Sequence, residues 1–304
     1  MKYLSAGFIV TWLLVAAPVT AVPINPATCT NDSVTLNHMS FSTGSLVSIN
    51  PNNLLLDGPY DASSCVGIYA EPNNVGSYHS PNPNIGWLND GLLNGEGGYL
   101  SPTQFIDADE LLDLGSSPGN AVDPGWISLV KFERDENEYE YQSIYDTSNS
   151  SIVKLDLDLV LDVRFSCTSS SGCTSGTWAL ATSLDIVDLV QAALGNRSTF
   201  DHLAFVFKSG NKNSNGGWSV YDFNFKDIFA NELAYLNDNR FGDPFGTPFT
   251  FSGTFNMDDY GKDISHFAIW ARDPLSATTK VPAPASVFIL GLGLVIMRLC
   301  SKRG

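Results

Sequence analysis

The stretch that decides the fold class is VKLDLDLVLDVRF, residues 153–165. Apolar side chains occupy every second position, and charged side chains fill the positions between them except at Val160. Successive side chains of a β-strand point to opposite faces, so this alternation predicts one long strand with a buried face and a solvated face. Such one-sided strands are typical of antiparallel sheets.

Segments on both sides of this stretch extend the β pattern. Aromatic residues alternate with small or polar residues over 221–225 and 249–255, and both segments are predicted strands. The continuous apolar run 203–207 predicts a central strand, and the runs 126–132 and 264–270 complete the set. Clusters of Gly, Asn, Asp, Ser and Pro separate these segments, as expected for turns.

Helical patterns are scarce. The best one covers 182–195, where Leu184, Val187, Val190 and Leu194 share a face and Thr182 with Asp185 resembles a capping box. A weaker helix is predicted over 226–237. The chain is therefore expected to be all-β, an antiparallel β-sandwich or jelly roll with one or two short helices.

The predicted extracellular β-sandwich covers residues 22–280. Its first part, 22–125, is rich in Asn, Pro and Gly, with short strand-like runs at 34–36 and 66–70. This composition predicts long loops lying over the same sandwich. A separate small domain is the alternative interpretation.

Residues 1–21 have the layout of a secretory signal peptide. Lys2 gives a positive start, residues 3–17 are uncharged, and Pro18 precedes three small or short residues suited to a cleavage site. We therefore predict an N-terminal signal helix and export of the chain.

Residues 281–304 form a second predicted targeting segment with an apolar stretch. The segment 285–297 is uncharged and would reach about 20 Å as a helix, against about 30 Å for a bilayer core. The basic residues Arg298, Lys302 and Arg303 follow it, so the positive-inside rule keeps that side cytoplasmic. We expect a hydrophobic helix that holds the exported chain at the inner membrane only transiently. The spacer before it consists of Val281, Pro282, Ala283 and Pro284.

This spacer, the Gly-Leu-Gly apolar segment at 291–293 and the basic residues after it resemble a PEP-CTERM sorting signal, in which Ala283 takes the place of the usual Glu. The segments 65–74, 126–133, 175–180, 201–211 and 263–272 also resemble a recurring group of PEP-CTERM secreted proteins. The resemblance implies a Gram-negative bacterium, recognition by an exosortase, and release or attachment at the cell surface. It further implies association with exopolysaccharide and biofilm matrix, and it assigns no enzymatic activity. Whether the tail is retained or removed stays open.

The charge balance restricts the partners. The chain has 16 basic and 32 acidic residues, a formal net charge of −16. Such an acidic protein repels nucleic acid and anionic lipid, so no nucleic acid is expected as a partner. Extracellular polysaccharide is the expected partner beside the exosortase and the inner membrane.

Four cysteines precede the tail, an even number in a chain predicted to be exported. Cys167 and Cys173 flank a short Ser- and Gly-containing loop, which predicts that they pair. Cys29 and Cys65 are then left to form the second disulfide. A metal site is the competing interpretation, but the spacing does not fit CxxC and no histidine is suitably placed.

The sequence contains no recognisable catalytic motif, so we predict no enzyme. Trp218 and Trp87 lie beside Gly and Asn and are the candidates for stacking on sugar rings, in a lectin-like carbohydrate-binding module. Asp258, Asp259 and Asp263 are candidate calcium ligands, and no other cofactor is predicted. The functional hypotheses are a non-enzymatic surface or matrix protein, a carbohydrate-binding module that uses calcium, and a glycan-active hydrolase.

Overall fold

The computed structural model describes residues 29–44, 54–70, 81–115, 117–149, 152–169, 172–195, 197, 200–209, 217–230, 248–257 and 263–272. These residues form thirteen strands, two α-helices and several 3-10 turns. The strands are β1 (Val34–Phe41), β2 (Leu54–Asp61), β3 (Ser64–Ala70), β4 (Trp126–Glu133), β5 (Glu138–Tyr141), β6 (Ser143–Tyr145), β7 (Val153–Asp156), β8 (Leu161–Cys167), β9 (Ser175–Thr182), β10 (His202–Ser209), β11 (Gly217–Asn224), β12 (Phe249–Asn256) and β13 (Ile264–Arg272). The helices are α1 (Ile186–Leu194) and α2 (Phe225–Ala230).

Two antiparallel sheets pack face to face, which confirms the predicted all-β sandwich. One sheet has the order β2-β1-β12-β9-β8, and the other has the order β3-β11-β10-β13-β4-β5. Aromatic rings join their inner faces. The Phe165 ring of β8 lies 4.6 Å from Phe267 in the opposite sheet, and the Trp178 ring of β9 lies 4.5 Å from Phe205. The predicted central strand at 203–207 is β10, which pairs with β11 and β13.

The prediction of one long strand over 153–165 is wrong. The first part is β7, which pairs with β6 in a separate two-stranded sheet, and the last part is β8, which pairs with β9. A 3-10 turn at Leu157–Leu159 lies between them. A straight strand would place Val160 on the solvated face, whereas the turn buries Val160 and leaves Leu159 exposed.

The larger sheet is buried on both faces. Its outer face carries Val206, Trp218 and Trp270, and these side chains form a second core with residues from the segment 81–112. That segment contributes Leu92, Leu93, Leu100 and Ile106. Within the predicted loop-rich part 22–125, the segment 81–112 thus lies over the sandwich. The prediction of mainly loops is wrong for 34–70, because β1, β2 and β3 are full strands of the two sheets and β2 was not predicted.

The outer edge of β8 is covered by side chains. The backbone N–H of Val163 donates to the hydroxyl oxygen of Tyr141 at 3.1 Å, and that of Phe165 donates to the Tyr139 hydroxyl at 2.8 Å. Both tyrosines belong to β5, the edge strand of the opposite sheet. An edge strand with occupied amides is a poor template for pairing with another chain.

Both predicted disulfides are present. Cys29–Cys65 closes a separation of 36 residues and ties the beginning of the described chain to β3, and Cys167–Cys173 closes a separation of 6. On the chain-entropy account these closures contribute about 3.8 and about 2.4 kcal/mol.

The first helix differs in detail from its prediction. The helix α1 buries Ile186, Val190 and Ala193, whereas Leu184 precedes the helix and is exposed. The predicted apolar face of the helix, which runs through Leu184 and Leu194, therefore differs by a rotation about the helix axis from the face that is buried. The helix α2 lies within the predicted segment 226–237 apart from its first residue, and 231–237 fall outside the described residues.

The predicted signal helix at 1–21 and the predicted tail helix at 281–304 also lie outside the described residues. Among the helices that are described, none has the length and apolar composition needed to cross a bilayer.

Candidate functional site

Buried charge concentrates at the end of the sandwich where β10 begins and β13 ends. His202 and Arg272 are register partners there, and Asp201 and Asp222 lie beside them. All four residues are almost completely buried. Ionisable groups are costly to bury unless they are paired, so this cluster is the strongest concentration of chemistry in the described fold.

His202 and Asp222 form a buried pair between β10 and β11. The Nδ1 atom of His202 lies 3.0 Å from each carboxylate oxygen of Asp222. Burial raises the pKa of Asp222 above its ordinary value, and the hydrogen bond with His202 opposes that effect. The His202 ring meets the edge of the Trp126 ring at a centroid distance of 5.7 Å.

Arg272 joins β10 and β13 to the segment 81–125, which we name the loop segment. Its Nη1 donates to Asp201 Oδ2 at 2.6 Å, and its Nε donates to the carbonyl oxygen of Pro124 at 3.0 Å. Its Nη2 donates to the carbonyl oxygen of Glu110 at 2.6 Å. One guanidinium group therefore connects β13, the residue before β10 and two points of the segment 81–125.

Lys226 of α2 extends the cluster to the surface. Its ammonium group lies 3.1 Å from Asp201 Oδ2 and contacts the carboxylate of Glu110. Burial alone would lower the pKa of Lys226, but the bonds to Glu110 and Asp201 raise it above its ordinary value. Burial alone would raise the pKa of Glu110, but the Lys226 ammonium group lowers it below its ordinary value.

Arg197 makes a third attachment nearby. Its guanidinium donates to the carbonyl oxygens of Ile85 at 2.6 Å and Gly125 at 3.3 Å. Three cationic side chains, Arg197, Lys226 and Arg272, thus hold the loop segment on the sandwich. We name this set, with Asp201 and Glu110, the loop clamp.

His202 and Asp222 lie away from solvent. A His–Asp pair has the composition of a general-base dyad, and catalysis would require the other ring nitrogen to reach a substrate. The Nε2 atom of His202 is buried and makes no hydrogen bond among the described residues. Since the ring is sealed beside Trp126, it offers a substrate no approach.

Asp201 and His202 are adjacent in the sequence but do not form a dyad, because adjacent strand residues point to opposite faces and Asp201 accepts from Arg272 instead. The partner of His202 is Asp222, which lies 20 residues further along the chain. The available signal was a polar residue at each of two predicted strands, His202 just before 203–207 and Asp222 within 221–225, but nothing in the sequence fixes the register of the two strands.

The two candidate sugar-binding tryptophans have different environments. Trp218 is only 2 % exposed and lies in the second core beneath the loop segment, so the expectation of an exposed stacking platform is wrong for this residue. Trp87 is half-buried, and its indole N–H donates to the carbonyl oxygen of Leu114 at 2.9 Å. Trp87 remains a prediction.

The candidate calcium ligands are only partly described. Asp258 and Asp259 lie outside the described residues, whereas the side chain of Asp263 is 44 % exposed and has an Arg134 guanidinium nitrogen 3.6 Å from its Oδ2. A neighbouring cation weakens a carboxylate as a calcium ligand. Over the described ranges, no three His, Cys, Asp or Glu residues cluster as a metal site would require.

The sorting residues Val281, Pro282, Ala283 and Pro284 lie outside the described residues, so their role remains a prediction. The described chain therefore offers a loop clamp, two disulfides and one half-buried tryptophan as its functional features.

Comparison with protein-family models, curated proteins and solved structures finds no match to this chain.

Proposed function

We propose that this chain is a non-catalytic protein that is exported through the inner membrane of a Gram-negative bacterium and sorted by an exosortase to the cell surface or extracellular matrix. The observation that carries the proposal is the pair of disulfides, Cys29–Cys65 and Cys167–Cys173. Disulfides persist in oxidising compartments, so they favour a chain that works outside the cytoplasm. The signal-like segment 1–21 and the PEP-CTERM-like segment 281–304 favour the same route.

The non-catalytic part of the proposal rests on how the buried charges are used. Arg272, Asp201 and Lys226 bond to one another and to the loop segment. Groups engaged in this way stabilise a fixed arrangement and are not free to transfer protons. A rigid, acidic sandwich of this kind suits a structural component of an exopolysaccharide or biofilm matrix.

The sorting step is testable by intact mass. We expect the mature protein from a Gram-negative host with an exosortase to begin near Val22 and to lack residues beyond about Ser286. The same chain from an isogenic host without the exosortase should keep the tail and stay with the membrane fraction. Retention of the tail in surface or medium fractions of the exosortase-positive host would contradict the sorting proposal.

A lectin-like module is the second candidate, and Trp87 is the residue that favours it. Its indole N–H is held by Leu114 in a half-buried position, which is a suitable anchor for a ring that stacks on a sugar. Glycan-array binding by the oxidised protein, with and without a calcium chelator, would detect such a module. Trp87→Ala should then weaken binding up to about tenfold without unfolding the sandwich. Turnover of the host's polysaccharide would instead reveal a hydrolase.

A further inference from the structure

An apolar cavity of about 50 Å³ lies between the two sheets, beneath α1. Its wall is formed by strand residues of both sheets, by the buried side of α1 and by Phe200. Among the described residues of this wall, Thr182 is the one with a polar side chain, and its hydroxyl donates to the carbonyl oxygen of Phe249 at 3.1 Å. A cavity that offers no polar partner holds no ordered water and accepts apolar molecules.

The size of the cavity restricts what enters it. A water molecule takes up about 30 Å³ in the liquid, and an apolar cavity of about 150 Å³ admits benzene. A cavity of about 50 Å³ therefore holds the last one or two carbons of an unbranched alkyl chain, whereas a ring is too large for it. The other carbons of such a chain must lie outside the cavity, on apolar surface next to it.

Two exposed leucines border the cavity. Leu159 is 73 % exposed and Leu184 is 67 % exposed, and we name them the entrance leucines. Each has a residue of the cavity wall two positions before it and two positions after it in the chain. The backbone N–H of Ser183 donates to the carbonyl oxygen of Val160 at 2.8 Å, which holds the two segments together. Large apolar side chains exposed side by side mark interaction sites, ligand-binding grooves among them.

The outer side of α1 continues this apolar surface. In its sequence IVDLVQAAL only Asp188 and Gln191 are polar, and Leu189 is 36 % exposed. A surface helix of a globular protein usually has a broad polar face, and a helix with so few polar residues is usually covered. The carbons of a bound chain that do not fit into the cavity can therefore lie along the entrance leucines and the outer side of α1.

Charge and hydrogen bonding restrict the polar group of the ligand. Asp158 and Asp185 are exposed, and each is the immediate chain neighbour of an entrance leucine, so an anionic group would be repelled. The hydroxyl oxygen of Ser183 is buried and has no hydrogen-bond partner among the described residues. A buried polar atom without a partner is costly. An uncharged acceptor on the ligand, such as a glycosidic or ester oxygen, would remove that cost.

We propose that the cavity and the entrance leucines bind the unbranched alkyl chain of an uncharged amphiphile, with its last carbons beneath α1 and its polar group at Ser183. The proposal goes beyond surface sorting and does not depend on it, because it uses only residues of the described sandwich. Its failure would leave the sorting proposal unaffected.

Isothermal titration of the exported, oxidised protein with octyl β-glucoside, below the concentration at which micelles form, tests the site. We expect saturable binding at one site. The isomeric probe 2-cyclohexylethyl β-glucoside has the same number of carbons but ends in a ring, so two carbons stay outside the cavity and binding should be about fifteenfold weaker. Octanoate should also bind more weakly, by a margin that shrinks with added salt. Absence of saturable binding, or equal affinity for either comparison probe, would overturn the proposal.

Variants of the wall separate the cavity from other apolar surface. Ala271→Val adds two carbons to the wall and should weaken binding of octyl β-glucoside about fifteenfold. Ala121→Val makes the same change at an exposed site of the loop segment and should leave binding unchanged. Val190→Ala enlarges the cavity, so it should raise the affinity for 2-cyclohexylethyl β-glucoside, and it tests the cavity even where Ala271→Val fails to fold. Unchanged affinities in the wall variants that fold would contradict binding in the cavity.

The polar end of the site has its own test. Ser183→Ala should weaken binding of octyl β-glucoside about fivefold, the effect of one hydrogen bond of about 1 kcal/mol. Octyl β-thioglucoside has sulfur, a weak acceptor, in place of the glycosidic oxygen, so the same variant should bind it as the unaltered protein does. An equal loss for both probes would contradict the hydrogen bond at Ser183.

A vesicle assay distinguishes a single amphiphile from a membrane surface. Leu159→Ser combined with Leu184→Ser should weaken binding of octyl β-glucoside, and neither this variant nor the unaltered protein should float with phosphatidylcholine vesicles. Flotation of the unaltered protein that is lost in the double variant would assign the entrance leucines to a membrane surface and overturn the proposal.

Discussion

Replacement of Asn94 by Ala should destabilise the protein far more than the removal of a loop amide ordinarily does. Strand β4 pairs with β13 along its length, but β5 covers its other edge only from Val130 onward. At Trp126 the side chain of Asn94 takes the place of a neighbouring strand. Its Nδ2 donates to the Trp126 carbonyl oxygen at 2.9 Å, and its Oδ1 accepts from the Trp126 N–H at 3.1 Å.

The magnitude follows from the groups left behind. Asn94 and Trp126 are both fully buried, so Asn94→Ala leaves the N–H and the C=O of Trp126 without their partner and away from water. It also removes the bond from Asn94 Nδ2 to the carbonyl oxygen of Asp90, which is partly buried. Each unsatisfied buried group costs about 1–3 kcal/mol, which gives a loss of about 2–6 kcal/mol in the free energy of unfolding. Single domains are stable by about 5–15 kcal/mol, so the loss is a large fraction of the total.

Urea titration of the oxidised protein, followed by tryptophan fluorescence, measures this loss. Asn120→Ala is the matched control, because Asn120 is exposed in the same segment and should change stability by less than about 0.5 kcal/mol. Asn94→Asp should be more stable at low pH than at neutral pH, because the protonated acid can still donate one hydrogen bond. A loss below about 1 kcal/mol for Asn94→Ala would show that water or a backbone shift replaces the amide, and would refute the reasoning.

Three further outcomes are expected. Trp218→Ala should cost about 3–5 kcal/mol in thermal or urea melts, and a stable variant with weakened glycan binding would contradict the burial argument. Tyr139→Phe combined with Tyr141→Phe leaves two backbone N–H groups of β8 without their hydroxyl acceptors. The double variant should self-associate as its concentration rises, which sedimentation velocity measures. A monomer at every concentration would show that the edge of β8 is protected in another way. The pKa of Glu110 is lowered, so its contribution is present above its ordinary value of 4.5 and is lost as pH falls through the folded-state pKa. Lys226→Met should flatten this acid limb of the stability profile, whereas an unchanged limb would remove Glu110 from the loop clamp.

Strand positions were predictable from the sequence because they depend on local patterns. Alternating phenylalanines located β12, and the continuous apolar run 203–207 indicated a strand buried on both faces, which is β10 at the centre of its sheet. The break at Val160 was visible as an interruption of the alternation. Its consequence, a turn that divides the strand between two sheets, depends on packing that no local pattern encodes.

The environment of Trp218 was not predictable in the same way. Gly and Asn neighbours suggested an exposed loop-to-strand junction, but Trp218 and Val220 face outward while Tyr221 and Phe223 face the main core. Apolar side chains on both faces of one strand were a usable signal that something covers the outer face. Which segment covers it depends on long-range contacts of the loop clamp, such as Arg272 with the Glu110 carbonyl oxygen.

The composition of the loop segment is explained by its task of covering a sheet without adding a strand to it. The amides of Asn84 and Asn94 satisfy β4 where no strand is paired, because an Asn side chain can turn an N–H and its C=O toward the same residue, as a strand backbone does. Gly91 has a φ of +95°, and a Cβ atom there would lie 2.6 Å from the Trp270 ring. Asn and Gly usually indicate exposed turns, but here they allow the backbone to approach a buried sheet closely. The outer face of the larger sheet is thereby sealed by the segment 81–112.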